Sequence, residues 1–258
     1  MKKLITIILT VALFIAAAAL GIDSVYRVGE VALEINYVSE EAKTEAEALE
    51  KELSELYGKQ SIFRVKKEDA ESVFARFPYF RLTDFKKEYP DKLVVEATED
   101  AEVFAVKSGE EYYVLALDGT ILSVRNSPQN RSDGKDNVLI EGVEISGERG
   151  ELCQGEKINR ALPFLKELSA RLDGLRSNLV KVEYELKGGS IEQYNLVTRE
   201  GVKIQVQKIQ EMTSEKAEKV AKTYLGLEDS ERLTGYIYAT NGAEKATVAY
   251  YPTEIPFE

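Results

Sequence analysis

Apolar positions along the chain keep two rhythms, with one stretch that keeps neither. From Leu4 to Ile22 the run "LITIILTVALFIAAAALGI" is continuous and uncharged. About 19 residues at 1.5 Å rise cover roughly 28 Å, enough for a bilayer core. Lys2 and Lys3 precede it and Asp23 follows, which predicts the N-terminus in the cytoplasm and the remainder outside. Small residues at Ala16–Ala19 make a cleavable signal peptide the rival. The expectation carried forward is an uncleaved transmembrane helix within residues 1–24, in a single-pass protein of the plasma membrane.

Beyond that run the rhythm alternates between strand and helix. Val31, Leu33 and Ile35 share one side of a strand predicted over 27–37. Ser39 offers an N-cap, and Ala42, Ala46, Leu49, Leu53 and Leu56 follow at helical spacing up to Gly58. Lys67 to Phe77 is a second predicted helix, with Ala70, Val73, Phe74 and Phe77 on one face and Pro78 as its stop. Strands over 80–88 and 93–98 flank the corner Tyr89-Pro90-Asp91-Lys92. This strand, helix, helix, strand, strand order predicts a small α+β layer pair.

The character then changes. Strands over 103–107, 112–117 and 120–124 form a meander turned at Asp118-Gly119. Residues 125–137, "RNSPQNRSDGKDN", read as a polar loop. A helix is predicted over 155–172 with Ile158, Leu162, Leu165 and Leu168 inward. Strands over 180–186, 190–198 and 202–207 follow, then a helix over 214–225 and closing strands at 235–238 and 246–251.

Composition narrows the chemistry. The 258 residues carry 34 basic and 45 acidic side chains, a net charge of -11, so a nucleic-acid partner is not expected. Histidine is absent, which removes the usual general base and the commonest zinc ligand. Cys153 is the single cysteine, so neither an internal disulfide nor a cysteine metal site can form. The adjacent carboxylates Glu40/Glu41, Glu110/Glu111 and Glu228/Asp229 diverge on a helix or strand and do not make a shared site. The "DGKDN" segment lacks the acid spacing of a calcium loop. Asn130-Arg131-Ser132 is a glycosylation sequon, read as a solvated loop. These residues predict no enzyme, no cofactor, no metal and no small-molecule substrate.

Order and spacing resemble a known family. "FPYF" (77–80) followed by "YPDKLVVEATE" (89–99) resembles the POTRA domain of the FtsQ/DivIB cell-division proteins, with Pro78, Pro90, Leu93, Val95, Ala97 and Glu99 in the family's places. "YYVLALDGTIL" (112–122), "VLIEGVEI" (138–145), "YNLVTREGVKIQV" (194–206), "SEKAEKVAKTYL" (214–225) and the final "GYI…ATVAYYP" follow in family order. The family's Glu-Arg-x-Pro is Glu99-Asp100-Ala101-Glu102 here. The resemblance implies a POTRA domain (β-α-α-β-β) at 25–99, a mostly antiparallel mixed-sheet β domain with flanking helices at 100–252 and a tail at 253–258. It also implies a non-enzymatic divisome scaffold that binds FtsB/DivIC-like and FtsL-like partners outside the membrane and helps control septal peptidoglycan synthesis. Other readings are an envelope chaperone or assembly factor with a POTRA module, and a secreted carboxylate-based cell-wall hydrolase.

The candidate site is the last strand: Ala246, Thr247, Val248, Ala249, Tyr250 and Tyr251. "ATVAYY" is uncharged, and the six residues after Pro252 are too few to cover it, so an open sheet edge that accepts a partner strand is expected. Tyr236 and Tyr238 share a strand face nearby and offer anchors.

Overall fold

The structure, a computed structural model, describes residues 10–14, 21, 25–36, 42–131 and 133–254. It divides into two compact units, 1–100 and 101–258, each with its own sheet.

In the first unit the strands are β1 (Glu30–Ile35), β2 (Phe80–Glu88) and β3 (Lys92–Glu99), and the helices are α1 (Lys43–Tyr57) and α2 (Lys67–Phe74). The sheet order is β1-β3-β2, with β1 parallel and β2 antiparallel to the central β3. The apolar stripe of α1 buries Leu49, Leu53 and Tyr57, and that of α2 buries Ala70, Val73 and Phe74. Leu93, Val95 and Ala97 of β3 are buried at the same period-two positions. Tyr57 donates its hydroxyl to the Lys66 carbonyl at 2.7 Å, and burial pushes its phenol well above the ordinary range. Two details differ from the sequence reading. Gly58 caps α1 without a positive φ, and the left-handed residue is Lys59 (φ 73°). Helix α2 ends at Phe74, three residues before Phe77, because the chain already turns ahead of Pro78.

The predicted transmembrane helix, and with it the single-pass plasma-membrane placement, is corrected. Spanning a bilayer takes about 20 consecutive apolar residues in one helix. No helix among the described residues is long and apolar enough to cross a membrane. Helix is described over 10–14, and most of the segment 4–22 lies outside the described residues, as do Ser39, Glu40 and Glu41.

The second unit is built on nine strands: β4 (Phe104–Ser108), β5 (Glu111–Leu115), β6 (Ile121–Arg125), β7 (Val138–Glu141), β8 (Leu179–Lys187), β9 (Ile191–Thr198), β10 (Lys203–Gln207), β11 (Tyr236–Asn241) and β12 (Ala246–Tyr251). Helices α3 (Glu156–Arg171), α4 (Thr213–Leu225) and the short α5 (Asp229–Arg232) complete it. The sheet order is β12-β11-β10-β9-β8-β7-β4-β5-β6. Pairing is mixed, with β4–β7, β7–β8 and β10–β11 parallel and the other contacts antiparallel.

Helix α3 therefore connects the parallel neighbours β7 and β8, and α4 connects β10 and β11. Both are crossover units that step the same way across strands of the same direction. Right-handed crossovers place both helices on one face. One core results, joining Ile158, Phe164, Leu165 and Leu168 of α3 with Ala217, Val220 and Tyr224 of α4 over Val182, Leu196, Ile204 and Ile237 of the sheet. Residues one position out of phase carry polar side chains to the other face. Gln193 there donates to Glu185 (3.2 Å) and Asn195 (2.7 Å), and Gln207 donates to Gln193 (3.4 Å).

Candidate functional site

The two edges of the large sheet are treated differently. At β6 the loop after β7 lies along the edge: Ile121 N–H donates to the Glu151 carbonyl, and Gly150 N–H to the Ile121 carbonyl, each at 2.8 Å. Arg149 Nε adds a bond to the Leu122 carbonyl at 3.0 Å. These bonds cover that edge at Ile121 and Leu122. At the other edge stands β12, the strand that holds all six predicted partner-binding residues, Ala246 through Tyr251.

Which backbone groups of β12 face outward follows from its hairpin. Gly242 N–H donates to the Lys245 carbonyl at 2.9 Å, which makes 242 and 245 a hydrogen-bonded pair. Antiparallel pairs alternate between bonded and non-bonded, so 240:247, 238:249 and 236:251 are bonded, while 241:246, 239:248 and 237:250 are not. The other side of β11 agrees, since the Gly235 carbonyl accepts from Lys203 of β10. Thr247, Ala249 and Tyr251 therefore turn their main chain toward β11. Ala246, Val248 and Tyr250 turn theirs away from the sheet. Among the described residues no backbone group pairs with the outward N–H and C=O of Val248 and Tyr250. The side chains of this second set point to the helical face, where Ala246 is buried and Val248 and Tyr250 pack against the core.

On the opposite face Tyr236, Tyr238 and Tyr251 form a row, with ring centroids 6.2 Å apart for the first pair and 5.5 Å for the second. Lys203 lies 5.6 Å from the Tyr236 ring, and the Tyr236 hydroxyl contacts Glu254 at 3.4 Å. The structure brings the predicted tyrosines into one cluster beside the edge, except Tyr250, which turns to the core side. Gly235 leads into this strand pair at φ 100°, and a Cβ there would lie 2.7 Å from the Tyr250 ring. Only glycine fits that approach.

The edge is not free of charge, contrary to the reading of "ATVAYY" taken alone. Lys219 of α4 donates its Nζ to the Ala246 carbonyl at 2.7 Å and pairs with Glu215 at 2.7 Å. Lys219 and, after it, the Ala246 N–H hold the Glu215 carboxyl below its usual range.

The polar loop 125–137 proves to be anchored, a feature the sequence pattern did not show. Glu102, 4% exposed, accepts Arg125 through both terminal nitrogens (2.9 and 2.7 Å), the Arg131 N–H (3.0 Å) and the Asn137 amide (3.2 Å). Asp133 takes a two-oxygen bond from Arg176, at 2.7 and 2.9 Å. Asn130 of the sequon is buried and spends its amide on the Glu102 carbonyl (3.1 Å) and Asn137 (3.2 Å), so the folded chain does not present it for glycosylation.

Chemistry-bearing groups elsewhere are held in structure. Cys153 is buried beside a cavity of about 450 Å³ between the β5–β6 turn and α3, lined mainly by Leu117, Leu152 and Leu162, with Lys166 at its margin. Burial pushes its thiol up, away from the thiolate that would react. Lys216 is fully buried, donates to the Gln207 (2.9 Å) and Lys208 (2.8 Å) carbonyls, and is pushed down to about 8 by desolvation. Glu110/Glu111 and Glu228/Asp229 stay dispersed, and Glu228 serves as the N-cap of α5. Among the described residues no group of three or more acidic or cysteine side chains could hold a metal ion. No protein-family model matches this chain, and no curated protein matches it.

Proposed function

We propose that this chain is a non-enzymatic scaffold that takes an extended segment of a partner protein as an added strand on β12. On the sequence resemblance, the partners are FtsB/DivIC-like and FtsL-like proteins, and the process is control of septal peptidoglycan synthesis. One observation carries the reading: among the described residues Val248 and Tyr250 have no partner for their outward main-chain N–H and C=O groups at one sheet edge, while the opposite edge is covered at Ile121 and Leu122 by its own loop. Added strands gain affinity from such main-chain bonds, and the tyrosine row beside the edge supplies anchoring surface.

The test is a proline series measured against an FtsB/DivIC-like partner, after circular dichroism confirms folding. Val248→Pro and Tyr250→Pro each delete an outward donor, which an edge strand tolerates, and should weaken partner binding at least tenfold. Val248→Ala keeps the backbone and should change binding much less. Thr247→Pro and Ala249→Pro remove donors that face β11 and should lower stability instead. Folded Val248→Pro and Tyr250→Pro proteins that bind like the parent would show that β12 is not the docking edge.

A further inference from the structure

We infer that the Glu215–Lys219 pair of α4 is a gatekeeper that shortens the open edge of β12 and keeps two copies of this chain from pairing along it. The inference rests on β12 being an open edge, and it concerns what that edge excludes.

Three residues of β12 turn their main chain outward, and the structure treats one of them differently. Val248 and Tyr250 leave donor and acceptor open among the described residues. At Ala246 the acceptor is taken by Lys219 Nζ at 2.7 Å, and the Glu215 carboxylate that holds this ammonium lies near the N–H. The two side chains sit one turn apart on α4 and are joined at 2.7 Å, so the helix fills the acceptor of Ala246 as a neighbouring strand would and sets a carboxylate beside its donor. Ala246 itself is 2% exposed. The clip thus imitates a strand at one position and ends the usable edge there.

The consequence is a restriction of register. A strand that pairs with Val248 and Tyr250 needs no rearrangement of α4. A strand that reaches Ala246 must first pull Lys219 from the carbonyl and then leave a half-exposed charge beside new apolar neighbours. In a second copy of β12, registers that place residue 246 against the first copy's edge are the longest antiparallel pairings available, and they are the ones blocked. Charged side chains placed against an edge are a general means of preventing such pairing. Here the charge comes from a helix packed over the strand and not from the strand itself.

The test uses this chain alone, so its outcome is readable whether or not the partner reading survives. The full chain, a Glu215→Gln/Lys219→Met double variant and that variant with Val248→Pro added are compared by sedimentation equilibrium, with amide exchange at Ala246 followed in parallel. Both replacements are good helix formers, which keeps α4 intact; Lys219→Met alone, which frees only the carbonyl, is the fallback and should give a smaller change of the same sign. The double variant should self-associate at least tenfold more tightly than the parent, its Ala246 amide should exchange faster as a monomer, and Val248→Pro should cancel the gain. A folded double variant that associates no more tightly than the parent overturns the inference. So does a gain that survives Val248→Pro, because another surface would then be responsible.

Discussion

Replacing Glu102 by alanine should be among the most damaging single changes in the second unit. The carboxylate, 4% exposed, receives hydrogen bonds from Arg125 (2.9 and 2.7 Å), Arg131 N–H (3.0 Å) and Asn137 (3.2 Å). Truncation leaves a backbone N–H and a buried amide without their acceptor, and takes the carboxylate from a guanidinium whose side chain is 25% exposed and which keeps the Ser127 and Gln129 carbonyls. Breaking one partner out of a buried pair costs about 3–5 kcal/mol, mostly as the penalty on the charge left behind. The Arg125 group keeps some solvent contact, which moves the expectation to the lower end, and the two neutral donors move it back up by about 1 kcal/mol each. A loss near 4 kcal/mol is therefore expected, a large part of the roughly 5–15 kcal/mol typical of a domain. For a unit of this size each kcal/mol shifts Tm by about 2–4 °C. The assay is urea unfolding of the full chain, with amide exchange read over 125–137. Exchange there should rise before global unfolding, since Arg125, Arg131 and Asn137 all hang on the Glu102 carboxylate. Glu102→Leu combined with Arg125→Met should recover part of the loss by removing both charges. A Glu102→Ala protein that loses under 1 kcal/mol, with loop exchange unchanged, would show that the cluster does not order the loop.

Three further outcomes are expected. Leu53→Ala removes a fully buried side chain of α1 and should cost roughly 2–5 kcal/mol in the first unit, read by urea unfolding with exchange resolved between units; a loss under 0.5 kcal/mol would show that the site is not packed. Lys216 has a folded pKa of about 8 against an ordinary 10.5, so between those values the unfolded chain holds the proton that the folded chain has released, and stability rises with pH there. The parent should therefore gain on Lys216→Met between pH 7.5 and about 10, and a difference that stays flat in urea titrations would refute the assignment. Gly235→Ala meets both a positive φ of 100° and the Tyr250 ring at 2.7 Å, so it should lower Tm and disturb the β11–β12 hairpin in amide exchange, whereas Gly109→Ala, with open space around it, should cost only its φ penalty.

Periodicity made most elements legible, because burial on one face forces it. Leu49 and Leu53, Ala70 and Val73, and Ile158, Leu165 and Leu168 stand at the inward positions their spacing predicts. Partner direction was not legible from period two, since a strand alternates identically in parallel and antiparallel ladders. The order of elements did hold a clue: the "VLIE" of β7, the helix α3 and the strand β8 form a strand–helix–strand unit. No strand was predicted at "VLIE", so the unit was not seen. The loop over 125–137 looked polar and solvated because composition does not reveal a buried acceptor. Glu102 lies more than twenty residues from Arg125, and only folding brings that carboxylate under the loop. The N-terminal run is the opposite case, where hydropathy alone predicted a spanning helix that the described residues do not contain.

The same contrast between local and folded information explains the candidate site. Sequence shows that "ATVAYY" carries no charge, and the fold supplies one, since Lys219 precedes Ala246 by 27 residues. What stays open among the described residues after that contribution is narrow: the outward main-chain groups of Val248 and Tyr250. Elsewhere in the unit the polar groups with functional potential have internal work, with Glu102 under its loop, Lys216 on two carbonyls and Cys153 buried as a thiol. Unmet main-chain hydrogen bonding on a strand edge is itself a chemical specificity, because it selects extended peptide over any small molecule. A short open stretch of two outward residues also limits affinity through the backbone alone. The neighbouring Tyr236, Tyr238 and Tyr251 are then needed to make such a contact selective, and they lie on the face of the sheet that no helix of the core covers.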